Sequence, residues 1–95
     1  MSDSLEVAGR FARNLVHARE RAGLSQEELG LRASLHRTEI SLLERGTRVP
    51  KIDTLVKLAG GLGVSPGDLL VGIAWRPGSA QVGAFTSPPP SEPTP

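Results

Sequence analysis

Gln26, His36, Arg37, Thr38, Ser41, Arg45, Arg48 and Lys51 gather amide, imidazole, hydroxyl and cationic donors into one short stretch of the chain. These groups hydrogen-bond phosphate oxygens and base edges, and an arginine can hold guanine O6 and N7 through two parallel bonds. The chemistry they offer is recognition of a patterned polyanion, not the making or breaking of bonds. Groups for catalysis are missing around them. The chain has no cysteine, which excludes disulfides, thiolate metal sites and cysteine nucleophiles. The histidines His17 and His36 fall on different predicted helices, and there is no phosphate-cradling glycine loop and no pair of acids suited to a pocket. No metal, no cofactor and no enzymatic activity are expected.

Bulk charge says little, because eleven Lys and Arg against ten Asp and Glu leave a net charge of +1. Any attraction for phosphate must come from where the cations stand. The 95 residues suffice for one core but not two. Apolar runs such as Leu69-Leu70-Val71 are far shorter than the roughly 20 residues a membrane span needs. With no basic, apolar leader at the N-terminus, the expectation is a cytoplasmic protein without a membrane partner.

The elements that must position the polar set follow from period and punctuation. Val7, Ala8, Phe11, Leu15, Ala18 and Ala22 recur at helical spacing over residues 5–22, and Gly23 ends that segment. Ser25-Gln26-Glu27-Glu28 has the form of a capping box, so a second, short helix starts there and buries Leu29 and Ala33. A third helix is predicted over 37–45, with Ile40 and Leu43 inward, Arg37, Thr38, Ser41, Leu42 and Arg45 outward, and Gly46 as its stop. A fourth spans 52–60 with Leu55, Val56, Leu58 and Ala59 towards the core, weakened by Gly60, Gly61 and Gly63. Ser65-Pro66-Gly67-Asp68 starts a fifth, through Leu69 and Leu70. From 76 to 95 there are six prolines and little that could form a core, so the organisation expected is a domain over 1–75 and a disordered Pro-rich tail over 76–95.

Two short helices joined by a tight turn, the second polar and basic outward, meet the needs of reading a groove about 12 Å wide with the helix's first turn. At this point Gly23-Leu24-Ser25-Gln26-Glu27-Glu28-Leu29 and His36-Arg37-Thr38-Glu39-Ile40-Ser41-Leu42-Leu43-Glu44-Arg45-Gly46 resemble the Cro/C1-type (XRE) helix-turn-helix family. The likeness continues through Pro50, Leu55, Leu58-Ala59, Leu62-Gly63-Val64-Ser65 and Leu69-Leu70. It implies an all-α, five-helix, lambda-repressor-like DNA-binding domain acting as a transcriptional regulator on double-stranded DNA, as a homodimer on a palindromic operator.

The resemblance also implies roles. Gln26 would bind a phosphate, Arg37 and Thr38 would read bases, and Arg45, Arg48 and Lys51 would grip the backbone. Ser41 would permit close approach, and Leu42 would either meet a thymine methyl or read little. Arg19 and Glu44 would form a structural ion pair linking helices 1 and 3. His36 stands where relatives have a better N-cap, so contact with phosphate is the expectation for it. Glu39 is expected to cap helix 3 through the His36 N–H, the other use of a carboxylate there being to accept from a cytosine amino group. Ser34 replaces a turn glycine, so a left-handed backbone at that point would be strained, and Lys51 replaces a capping serine. Leu70, Val71, Ile73 and Trp75 form an apolar cluster suited to a dimer interface. The alternative is a protein-interaction or antitoxin-type module on the same scaffold, binding a protein partner through the tail.

Overall fold

In a computed structural model, residues 3–79 and 83–86 are described. The apolar period of the first segment closes into α1 (Asp3–Arg21), which buries Ala8, Phe11, Ala12 and Leu15 along one face. Next come α2 (Gln26–Ala33), α3 (Arg37–Glu44) and α4 (Ile52–Leu62). Their inward faces meet in one cluster with Leu29, Ile40, Leu43, Leu58 and Leu69 fully covered. Removing the side chain of any of these leucines costs about 2–5 kcal/mol in comparable cores, so this shared core is what packs α2 and α3 against each other.

The fifth helix is corrected to a single 3-10 segment, Pro66–Leu70, leaving four α-helices. Asp68 N–H reaches back only three residues, to the Ser65 carbonyl at 3.0 Å, and the Asp68 carboxylate accepts from the Ser65 N–H at 3.0 Å. Val71 is already extended and Gly72 turns at φ 84°, so there is no length over which an α-helical nucleus could propagate.

The all-α description also needs amending. β1 (Ala74–Arg76) pairs antiparallel with β2 (Ala84–Thr86), placing Trp75 opposite Phe85. Their rings meet edge to face with centroids 5.0 Å apart, and a cross-strand aromatic pair of this kind stabilises a ribbon otherwise too short to persist. Gly83 leaves room for the Trp75 ring, which a Cβ there would strike. Part of the expected disordered tail is thus a strand, and residues 80–82 and 87–95 lie outside the described residues.

Two further expectations change inside α4. Val56 is 53% exposed, not in the core, and Ile52 one turn earlier is 81% exposed. Gly60 and Gly61 do not end the helix, which runs on to Leu62 with Gly63 as its left-handed cap. Gly61 is where α2 and α4 approach, since a Cβ there would lie 3.2 Å from Leu29 Cδ1 and 3.3 Å from Ala33 Cβ. Arg32 Nε fastens the same contact by donating to the Gly61 carbonyl at 2.7 Å.

Ser34 adopts φ 55°, ψ 44°, the strained left-handed conformation expected of it, and its N–H donates to the Gly30 carbonyl. A side chain in that region costs about 1–2 kcal/mol, part of which glycine gives back through its freer unfolded chain. Ser34→Gly is therefore expected to raise stability by about 0.5–1 kcal/mol, read as a higher urea midpoint at unchanged slope.

Candidate nucleic-acid interface

The start of α2 is built as its sequence predicts. Glu28 N–H donates to Ser25 Oγ at 3.0 Å, and Ser25 N–H donates to Glu28 Oε1 at 2.8 Å. The bond from the Ser25 backbone, then that with its hydroxyl, holds the Glu28 carboxyl below the usual carboxylate value. A depressed folded-state value means that this cap contributes at neutral pH and is lost as pH falls through that lowered value.

Between α2 and α3 the chain turns within three residues, and Leu35 N–H closes the turn on the Gly30 carbonyl at 2.9 Å. His36 then does what was not expected of it. Its Nδ1 accepts from the Thr38 N–H at 3.1 Å, so the imidazole is the N-cap of α3 instead of a ligand held wholly for phosphate. A His at this position can cap because the extended backbone of His36 (φ −71°, ψ 144°) brings Nδ1 over the first free N–H groups. Its exposed outer edge leaves Nε2 available to a ligand.

At the other end of α3, Glu44 gathers three elements. Arg19 of α1 donates through Nε to Glu44 Oε2 at 2.6 Å and through Nη2 to Oε1 at 3.1 Å, while its Nη1 reaches the Leu24 carbonyl at 2.8 Å. The bond to Glu44 raises the Arg19 pKa above its ordinary value despite partial burial. Gln26 Nε2, at the start of α2, donates to the same Oε1 at 2.9 Å. One amide hydrogen of Gln26 is therefore engaged by the end of α3, while its second hydrogen and its carbonyl oxygen have no partner among the described residues.

Arg37 and Thr38 are exposed in the first turn of α3, and Ser41 and Leu42 are partly exposed behind them. The side chains of Arg37, Arg45 and Lys51 have no hydrogen-bond partner among the described residues, and all three residues are exposed. Arg48 differs, because its Nη2 lies 3.4 Å from Glu39 Oε1. Glu39 thus pairs with Arg48 and does not cap through the His36 N–H, since a guanidinium attracts a carboxylate more strongly than a neutral N–H does.

The apolar cluster is split. Leu70 and Val71 are exposed, Ile73 packs against the core instead of facing outward, and Trp75 is half exposed beside Phe85. Sequence reasoning passed over Asn14, whose Nδ2 donates to the Leu69 carbonyl at 3.0 Å and the Val71 carbonyl at 2.9 Å and so ties α1 to the 3-10 segment. An amide flanking an apolar helix stripe was the available signal. Among the described residues no group of three or more His, Asp or Glu could hold a metal ion, and no helix is long and apolar enough to cross a membrane.

Comparison with known proteins supplies an independent line. A helix-turn-helix family profile matches residues 16–69. The chain is 48% identical over 50 residues to the control protein C.BamHI of Bacillus amyloliquefaciens, covering 53% of this chain and 62% of that protein. It spans less than two thirds of that relative. It is 42% identical over 57 residues to an uncharacterized HTH-type transcriptional regulator, y4dJ, of Sinorhizobium fredii, covering 60% of this chain and 74% of that one. Among solved structures, the restriction-modification controller protein C.AhdI of Aeromonas hydrophila superposes with a TM-score of 0.63 at 34% identity, covering 65% of this chain and 94% of that one. A hypothetical transcription factor from Neisseria gives a TM-score of 0.65 at 34% identity, over 68% and 75%.

Proposed function

Because the chain belongs to the Cro/C1-type helix-turn-helix family, we propose that it is a transcriptional regulator that binds double-stranded DNA with α3 in the major groove. One observation carries this reading: the donors surround a single helix. Arg37 and Thr38 open α3 outward, Gln26 is bonded to its last residue and Arg48 to its third. Donors so arranged reach base edges from the helix start and phosphates from its two flanks.

In this reading Arg37 and Thr38 specify sequence, with Ser41 and Leu42 close to the groove floor. Gln26, His36 Nε2, Arg45, Arg48 and Lys51 hold the backbone. The protein acts in the cytoplasm as a homodimer on a palindromic operator with half-sites roughly one helical turn apart. Leu70 and Val71, exposed on the molecule, support a self-complementary surface.

Selection of bound duplexes from a random pool, followed by affinity measurements at several salt concentrations, tests the proposal. Two half-sites at fixed spacing are expected, with a steep salt slope. Arg37→Ala is expected to cost about 1–3 kcal/mol on the selected duplex and to relax one base position, whereas Arg45→Ala weakens every sequence alike and lowers the salt slope by about one. If the two variants lose the same affinity on all duplexes, Arg37 is no base reader. Binding to duplex without a salt slope would favour the interaction-module reading instead.

A further inference from the structure

Once Arg19, Gln26 and Glu44 have been assigned to aiming α3, the Glu39–Arg48 pair is left without a purpose. Glu39 is the third residue of α3, next to Arg37 and Thr38, and its side chain is 34% exposed. Oε1 faces Arg48 Nη2 at 3.4 Å, and among the described residues Oε2 has no hydrogen-bond partner. An exposed pair of this length contributes little to stability. A carboxylate at this place also repels the phosphates that the neighbouring donors would attract. Arg48 offsets part of that charge, and a donor at the bound surface would satisfy the other oxygen.

The chemistry of a carboxylate narrows what that is. Ionised, it only accepts hydrogen bonds. In the major groove guanine and thymine present only acceptor atoms, adenine presents a donor beside an acceptor, and cytosine presents its amino group alone. The positive end of the α3 dipole and the Arg48 guanidinium both offset the charge on Glu39, so its cost falls mainly where the opposing base edge is also electron-rich.

Resting on the DNA-binding reading above, we infer that Glu39 is a specificity-determining residue: its Oε2 accepts from a cytosine amino group while Arg48 holds Oε1. It selects cytosine by attraction and rejects guanine and thymine by repulsion at a base position beside the one Arg37 reads. Arg48 is then a positioning residue as well as a phosphate contact.

The test uses the full chain and two variants, Glu39→Gln and Glu39→Ala, each checked by circular dichroism and carried through duplex selection and single-position affinity measurements at fixed salt. The wild type is expected to prefer cytosine over guanine or thymine about five- to tenfold at one position. Glu39→Gln is expected to move that preference to adenine, because an amide both donates and accepts, and Glu39→Ala to abolish it. Both leave the position read by Arg37 unchanged. Uniformly tighter binding of the variants to every duplex, with the base preference intact, overturns the inference while the DNA-binding reading stands. Failure of the wild type to bind any duplex overturns both.

Discussion

Glu44→Ala is expected to destabilise the protein by about 3 kcal/mol, because it strands the Arg19 guanidinium in a place where it is largely covered. The side chains of Arg19 and Glu44 are only 15% and 7% exposed, so solvent screens this pair far less than it screens Glu39–Arg48. The same substitution removes the acceptor of Gln26 Nε2 and so frees the start of α2 from the end of α3. Urea unfolding reads the first effect, and DNA affinity measured on the folded fraction reads the second. Replacing both partners, as in Arg19→Met with Glu44→Leu, should lose much less than Glu44→Ala alone, since no charge is then left buried. A Glu44→Ala loss below about 1 kcal/mol would place the pair with ordinary surface contacts and remove its role in aiming α3.

Gly30→Ala is expected to have the sign opposite to what helix propensity dictates. Gly30 lies inside α2, where alanine is intrinsically better by about 1 kcal/mol. A Cβ there, however, would stand 2.6 Å from the Leu35 carbonyl oxygen, a backbone atom with no rotamer by which to give way. The turn must open and carry the start of α3 with it. Overpacking against a backbone atom costs up to about 3 kcal/mol, and alanine's better propensity returns about 1, so a net loss of up to about 2 kcal/mol is expected, accompanied by a disproportionate loss of DNA affinity. Gly60→Ala serves as the control: Gly60 is also helical, nothing lies within 4 Å of a Cβ there, and that variant should gain stability. A Gly30→Ala variant as stable as the wild type would show that the α2–α3 turn is loose enough to absorb a methyl group.

The two substitutions show how unevenly the site was legible. The segments of α1 to α4 could be read because each carries its own period and punctuation, such as the Ser25–Glu28 box, the apolar pairs Leu29/Ala33 and Ile40/Leu43, and the stop at Gly46. Arg37 and Thr38 could be placed outward for the same reason. The fifth helix was misread because Ser65-Pro66 signals a start equally well for one turn or for many. Val56 was misread because its place in the period put it beside Leu55, whereas α4 turns Val56 outward. The ribbon of Trp75 with Phe85 left no trace in a segment dominated by proline and small residues.

The amino-acid sequence alone determined where α1 to α4 begin and which short helix carries exposed donors at its start, because caps and periodicity are interactions among residues within about one turn of each other. Only the tertiary structure decided what the polar side chains do. Gln26 and Arg19 converge on Glu44, Glu39 turns to Arg48, and Gly30 receives the Leu35 carbonyl. Gln26 and Arg19 are brought to Glu44 by the packing of α1, α2 and α3 around one core. The strength of a hydrogen bond or ion pair depends on tenths of an ångström that no local pattern specifies.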